Sequence, residues 1–420
     1  MAKKYLSRIC DSLLLRQLAS SGAVLIEGAK WCGKTSTARQ VAKSVLYMQD
    51  TDRGQGYLKM ADTLPSRLLL GDNPRLLDEW QMAPVLWDAV RFEVDKRSER
   101  GLFILTGSAV PKDGVKAHTG TGRISRLMMR PMSLFESKES NGSVSLERLF
   151  AGETDVVAES TLTIPDLAQA ICRGGWPEAV VNGDSDSLVA RNYVDAVINM
   201  DVQRVDNVER NPARVRQFLR SYARNISTMA PLTTVLADVK SNDTGFSDTT
   251  MYSYVNALRR IFLIEDIPAW KPSLRSKTAI RTSDKRQFVD PSIAAALMYV
   301  NVDSLLDDMT YFGFLFESLA TRDLRIYAQA LDGAIFHYHD KSDLEADLVI
   351  RLHDGRWAPV EVKLGSSEIE EAATHLMTLQ KRIDTDKVGQ PSFKMVLTGG
   401  QFAYKRNDGV LVVPIGCLKP

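Results

Sequence analysis

The stretch Gly28-Ala29-Lys30-Trp31-Cys32-Gly33-Lys34-Thr35 decides how the amino-terminal part of this chain is read. It fits the pattern G-x-x-x-x-G-K-[ST], and its setting is the one that pattern needs. Ahead of it the apolar run Ala23-Val24-Leu25-Ile26 predicts a buried strand, and behind it Thr37-Ala38-Arg39-Gln40-Val41-Ala42-Lys43 predicts a helix. Glycines let the backbone turn tightly and aim successive N–H groups at phosphate oxygens. The start of the following helix adds the positive end of its dipole. On this pattern Lys34 reaches the β- and γ-phosphates of a nucleotide and Thr35 holds Mg²⁺. Ala29, Lys30, Trp31 and Cys32 form the cradle between Gly28 and Gly33, and Ser36 extends it. Cys32 is either a small filler or, at a helix start, a thiol of lowered pKa.

A nucleotide-binding module of this kind needs a second strand that ends in acid. Leu76-Leu77 runs into Asp78-Glu79. Asp78 would orient Mg²⁺ through its water shell, and Glu79 would polarise the attacking water. The buried-type strand Phe103-Ile104-Leu105 ends in Thr106-Gly107-Ser108, so Thr106 or Ser108 could sense the γ-phosphate; a polar turn reads equally well. Arg123, Arg126 and Arg130 follow, and one of them could neutralise charge on the transferring phosphoryl group.

Bulk properties exclude several alternatives. A length of 420 residues predicts two or three domains, and 44% apolar with 25% charged residues is an ordinary globular composition. Net charge is +1, so nucleic acid could bind only through a local basic patch. Four scattered cysteines with no C-x-x-C pair argue against a zinc site and fit a reducing cytoplasm. No signal-peptide core and no membrane-length apolar run are present, so a cytoplasmic protein with no membrane association is expected.

In this order, Gly28–Thr35, Leu76–Glu79, Phe103–Ser108, Gly122-Arg123-Ile124, Arg130–Glu136 and Gly174-Gly175-Trp176-Pro177-Glu178 resemble an AAA-type P-loop ATPase family of bacteria and archaea. Its members carry a long carboxy-terminal DUF4143 region. The resemblance implies ATP and Mg²⁺ as cofactors and places Gly175 and Pro177 near the adenine, although Gly-Gly and Pro also simply make a turn. Residues 137–160 read as loop, an insertion on the ATPase.

Further on, Val215, Phe218, Leu219 and Tyr222 keep a helical rhythm, Leu232–Val239 reads as a second helix, and Ser247 caps a third carrying Met251, Val255, Leu258 and Phe262. Phe262–Pro268 reads as a strand. This layout is that of a winged helix-turn-helix, and it resembles the family's middle domain. The third helix would offer Thr249, Thr250, Ser253, Asn256, Arg259 and Arg260 to DNA. Lys271, Arg275, Lys277, Arg281, Lys285 and Arg286, against the single acid Asp284, form the strongest local basic excess; DNA contact and a solvated ribbon are both open.

The last hundred residues hold a second constellation. Glu361 and Lys363 alternate on one strand face, Asp347 precedes them by a strand and a turn, and Glu317 sits on an apparent helix. In this order they resemble the D…E-x-K signature of the restriction-endonuclease-like fold. The resemblance implies Mg²⁺ on Asp347, Glu361 and Glu317, with Lys363 orienting water or stabilising charge at a phosphate. An exposed salt-bridge ladder is the alternative. His337 and His339 share a strand face beside Asp340, as a metal site or as plain strand surface.

The chain is therefore expected to be α/β: an AAA-type P-loop ATPase with a small helical part (1–200), a winged helix (201–300) and a nuclease-like domain (301–420). Its expected function is Mg²⁺-dependent ATP binding and hydrolysis with DNA binding and potential DNA cleavage. The alternative is a nucleotide-dependent switch or adaptor for a protein partner, its carboxy-terminal domain a non-catalytic platform. An oligomer is compatible with either.

Overall fold

The computed structural model describes residues 5–107, 120–184, 187–205, 208–241, 245–272, 283–342 and 344–420. The chain forms two compact units: residues 1–131, 199–210 and 254–263 make the first, and the remainder makes the second.

The first unit runs α1 (Ile9–Ser20), β1 (Ala23–Glu27), α2 (Lys34–Arg39), β2 (Ser44–Tyr47), α3 (Gly54–Thr63), β3 (Arg75–Asp78), α4 (Val85–Arg97), β4 (Phe103–Gly107) and β5 (Ile124–Met128). The strands form a parallel sheet in the order β2-β3-β4-β1-β5. Parallel sheets are covered on both faces, so their strands are apolar throughout. Alternation then sends Leu25, Leu77 and Leu105 to one face, against Trp80, Leu86, Trp87 and Val90. Val24, Ile26, Leu76 and Ile104 go to the other, against Leu13, Leu14 and Leu18 of α1. β4 lies between the strand feeding the phosphate loop and the strand ending in Asp78. The helix expected to run to Lys43 ends at Arg39. Past it the chain must enter β2 at Ser44, and the Lys43 amide already donates to the Pro74 carbonyl.

In chain order there follow β6 (Val144–Ser145), α5 (Leu146–Phe150), β7 (Ala158–Glu159), α6 (Ile164–Arg173), α7 (Pro177–Asn182), α8 (Leu188–Ala196), α9 (Val202–Arg204), α10 (Pro212–Arg224), α11 (Leu232–Lys240), α12 (Asp248–Arg260), α13 (Pro291–Leu297), α14 (Val302–Asp307) and α15 (Met309–Ala330). The end of the chain adds β8 (Gly333–His339), β9 (Glu345–Leu352), β10 (Trp357–Lys363), α16 (Ile369–Arg382), α17 (Thr385–Val388), β11 (Met395–Thr398), β12 (Phe402–Lys405), β13 (Leu411–Pro414) and β14 (Leu418–Lys419). α9 belongs to the first unit, and α12 passes from the second into the first at Tyr254.

The second unit is built on a seven-stranded mixed sheet, β7-β12-β13-β11-β10-β9-β8. β8, β9 and β10 are antiparallel neighbours, and β10, β11 and β13 are parallel. Residues 137–160 are not an insertion on the first unit. β7 pairs with β12, β6 pairs with β14, and Val144, Leu146 and Leu149 are buried, because their side chains complete the second unit's core.

The three helices of the middle segment are present as α10, α11 and α12, with Val215, Phe218, Leu219, Met251, Val255 and Leu258 buried as their rhythm requires. The strand expected from Phe262 begins later. Phe262 adopts φ 59°, and the Leu263 amide closes α12 on the Leu258 carbonyl. Extended chain then pairs antiparallel with 285–288 at Ile264–Phe288 and Ile267–Lys285.

Candidate functional site

The loop after β1 is shaped by its glycines. Gly28 sits at φ 146°, and a Cβ there would lie 2.0 Å from the Met129 carbonyl oxygen; Gly33 sits at φ 102°. Lys34 is buried, and its ammonium donates to the Gly28 and Ala29 carbonyls at 2.9 and 2.7 Å, so the charge is held directly over the loop. Cys32 is fully buried with its thiol 3.4 Å from the Met129 carbonyl, which makes it a filler and removes the reactive reading. Arg8 clamps the far side, donating to the Cys32 and Arg130 carbonyls. Lys30 pairs with the buried Asp201, while Trp31, at φ 64°, is half exposed. Substituting Gly28→Ala pushes a methyl onto backbone at an unfavourable φ. The expected result is a thermal midpoint lowered by several degrees and weakened nucleotide binding, measured by thermal unfolding with and without ATP.

Parallel register puts Asp78, at the end of β3, beside Thr106 on β4. One carboxylate oxygen of Asp78 accepts from both hydroxyls: Thr35 at 2.6 Å and Thr106 at 2.6 Å. Three hard oxygen groups thus converge at the carboxyl end of the sheet, next to the Lys34 ammonium's loop, and they fit a nucleotide-bound divalent ion. Glu79 follows in left-handed conformation (φ 56°), and the Gln81 side-chain amide donates to its carboxylate. Ser36 opens the first turn of α2, just past Thr35. Ser108 lies outside the described residues. Thr106, open as an alternative in the sequence, has the contact to Asp78.

The two arginines Arg123 and Arg126 take different positions relative to β5. Arg123 precedes β5, beside Ala23 at the start of β1, and pairs with Asp95 at 2.8 Å. The loop leaves the other end of that strand, about 13 Å away at 3.3 Å per residue. A role for Arg123 at its own chain's loop is therefore ruled out by the strand direction. Arg126 sits within β5 and binds Glu27, the last strand residue before the loop, at 2.8 Å. Gly175 and Pro177 lie in the second unit. The Gly175 amide donates to the buried Asp290, and a Cβ on Gly175 would lie 2.2 Å from the Met132 carbonyl oxygen; Pro177 opens α7.

In the second unit the four acid and lysine residues occupy the expected elements: Glu317 on α15, Asp347 on β9, Glu361 and Lys363 on β10. A fifth residue changes their chemistry. Lys285 is buried, and its ammonium lies 2.7 Å from Glu317 Oε1, 3.3 Å from Asp347 Oδ1 and 3.4 Å from the Asp347 carbonyl. The other oxygen of Asp347 accepts the Val362 amide at 2.9 Å. Glu361 Oε2 lies 3.4 Å from Lys363 Nζ, and its buried Oε1 has no hydrogen-bond partner among the described residues.

Burial opposes the charge on Lys285, but Glu317 and Asp347 outweigh it and hold its pKa above the usual lysine range. Burial pushes Glu317 up to about 8. Burial and then Asp347 push Glu361 well above the carboxylate range. Asp347, despite burial, is held low by Lys285, Lys363 and the Val362 amide. Negative charge is thus concentrated on one carboxylate whose two oxygens are already engaged.

Glu317, Asp347 and Glu361, expected from the sequence to hold Mg²⁺, are therefore arranged otherwise. These residues do not fit a divalent cation, because an ammonium stands between two of them. Among the described residues no three of His, Cys, Asp and Glu are gathered to hold a metal. His337 is buried with Nε2 3.0 Å from the Ser283 carbonyl, and burial together with Lys285 lowers it to about 4.

Lys285 reads in the sequence as part of a DNA-facing ribbon, and so does Arg286, which is buried against Asp266 at 2.7 Å. Neither is available to DNA. The signal that marks them is their position at the head of Phe288-Val289, where basic residues enter an apolar run. Arg275, Lys277 and Arg281 lie outside the described residues. On α12, Thr249, Asn256 and Arg259 are exposed.

Residues 20–138 match an AAA domain, residues 164–304 a domain of unknown function (DUF8612), and residues 312–418 a further domain of unknown function (DUF4143). The chain carries an amino-terminal AAA domain and a carboxy-terminal DUF4143 domain. The AAA domain contains the phosphate loop, Asp78, Glu79 and Thr106, and the DUF4143 domain contains the Glu317, Asp347, Glu361 and Lys363 cluster. Lys285 comes from the stretch between them.

Uncharacterized proteins of Mycobacterium tuberculosis and Mycobacterium bovis are each 23% identical over 363 residues, covering 84% of this chain and 73% of theirs. Among solved structures, a Walker-type ATPase of Pyrococcus abyssi aligns at 16% identity over 71% of this chain and 97% of its own, with a TM-score of 0.43. The replication initiator DnaA, bound to AMPPCP and single-stranded DNA, aligns at 12% identity over 60% and 85%, with a TM-score of 0.21. No helix among the described residues is long and apolar enough to cross a membrane.

Proposed function

We propose that this chain binds ATP at the Gly28–Thr35 loop and hydrolyses it with Mg²⁺. The observation that carries the reading is the convergence of Thr35 and Thr106 on Asp78, each at 2.6 Å, beside a loop whose lysine is already aimed inward. Thr35 and Asp78 would hold the ion, which when bound supplies positive charge at the β- and γ-phosphates. Lys34 exchanges two loop carbonyls for phosphate oxygens. Glu79, one residue beyond Asp78, takes the proton of the attacking water. Its left-handed backbone turns it out of the strand, and Gln81 fixes its carboxylate. Glu79→Gln is expected to keep ATP affinity within about threefold while phosphate release falls at least about 100-fold. A variant that turns over at the native rate removes Glu79 from this role.

The protein is proposed to be cytoplasmic, and the three parts expected from the sequence, 1–200, 201–300 and 301–420, are redrawn with the first ending at 131, because residues 132–198 pack in the second unit. The middle part is proposed as a winged helix that meets DNA through the Thr249, Asn256 and Arg259 side of α12. Its support is three helices followed by an antiparallel pairing. Retardation of duplex DNA whose binding weakens steadily as salt rises is the expected result. No retardation at low salt, with or without ATP, rejects it.

Lys285 favours a second reading for the carboxy-terminal domain over DNA cleavage. With its carboxylates neutralised from within, the domain suits a platform for a protein partner. ATP then acts as a switch.

A further inference from the structure

We propose that Lys285 is the resident cation of the DUF4143-domain acid cluster, standing where a divalent ion would otherwise be held. The cluster is then an internal clasp and not a metal-dependent phosphodiester-cleaving centre. This does not depend on ATP binding in the first unit.

Three observations carry it. The first is position: one ammonium bridges a carboxylate from α15 and a carboxylate from β9, at 2.7 and 3.3 Å, and takes the Asp347 carbonyl as well. That is the donor set an ion would seek, already coordinated by a cation with three N–H groups.

The second is rigidity. The Lys285 backbone exchanges two hydrogen bonds with Ile267, both 2.9 Å, and each neighbour is fixed in turn. Arg286 binds Asp266, Gln287 binds Ser227, and Arg325 donates to the Asp266 carbonyl. Lys285 is buried and its backbone is pinned by this pairing, so its side chain starts from a fixed point inside the cluster. The third is charge. Lys285 and Lys363 bring two positive charges to carboxylates of which Asp347 is the one held firmly ionised, leaving little to attract a dication.

The clasp joins the chain before α13 to the helix and hairpin of the carboxy-terminal domain. An acid set that looks catalytic in sequence thereby becomes a structural one.

The test is a titration of the full chain, without nucleotide, with Mn²⁺ followed by electron paramagnetic resonance. The native chain and Asp347→Asn should bind Mn²⁺ identically. Lys285→Ala should gain one ion per chain, at least tenfold tighter than any native site of this unit, and the double variant with Asp347→Asn should lose it. An ion on the native chain that Asp347→Asn removes would overturn the proposal. So would a folded Lys285→Ala, judged by circular dichroism, that gains none. Should Lys285→Ala fail to fold, the native against Asp347→Asn comparison decides alone.

Discussion

Lys34→Ala raises the dissociation constant for ATP by about 100-fold or more and abolishes turnover. Lys34 is the buried positive charge aimed into the loop, and without nucleotide it is satisfied by two backbone carbonyls at 2.9 and 2.7 Å. A hydrogen bond to a charged group contributes about 1.5–3 kcal/mol, and a phosphate accepts at least two from this ammonium. A loss of about 3 kcal/mol corresponds to a factor of more than 100 in affinity. Fold should persist with some loss of stability, because removing the ammonium leaves the buried Gly28 and Ala29 carbonyls without this donor at one loop only. Lys34→Arg should not rescue binding, since a planar guanidinium fork does not replace a compact ammonium with three rotatable donors. Calorimetric titration with ATP and Mg²⁺, alongside circular dichroism, separates loss of binding from loss of fold.

Lys285→Met lowers unfolding stability by about 3–5 kcal/mol, the usual cost of removing one partner from a buried ion cluster. Met fills the volume of the lysine stem but leaves Glu317 and Asp347 without the ammonium that bridges them. Adding Glu317→Gln removes one of the two stranded carboxyls, and about half of the loss should return. The non-additivity is the informative quantity, because two unconnected sites would sum. Urea midpoints of the native chain, both single variants and the double give it directly. ATP turnover in these variants should follow the native chain wherever the first unit remains folded.

Much of the first unit is legible in the sequence because its signals are short in range. The Gly28–Thr35 pattern fixes a strand, a loop and a helix within a few residues. The apolar strand ending at Asp78 is read from four letters, and burial on both sheet faces explains why those strands carry no alternation. The carboxy-terminal elements are legible for the same reason: alternation places Glu361 and Lys363 together, and the helix around Glu317 has an apolar stripe.

What escapes is long-range. Lys285 meets residues 32 and 62 positions away, and no local pattern separates a lysine entering a core from a lysine on a ribbon. The place of Arg123 also escapes, because a sequence shows an arginine after glycines but not which end of a strand it stands on. Residues 137–160 read as loop because their strands are two residues long and pair with partners near the end of the chain.

ATP binding and hydrolysis at the loop after β1 is the central proposal for this protein. Its most direct measurement is phosphate release from ATP by the full chain in Mg²⁺, with Lys34→Ala measured in parallel. Steady release by the native chain that stops when Mg²⁺ is withheld and is absent in Lys34→Ala is the expected result. Release at equal rates from both chains, or none from a native chain shown to be folded, would contradict it.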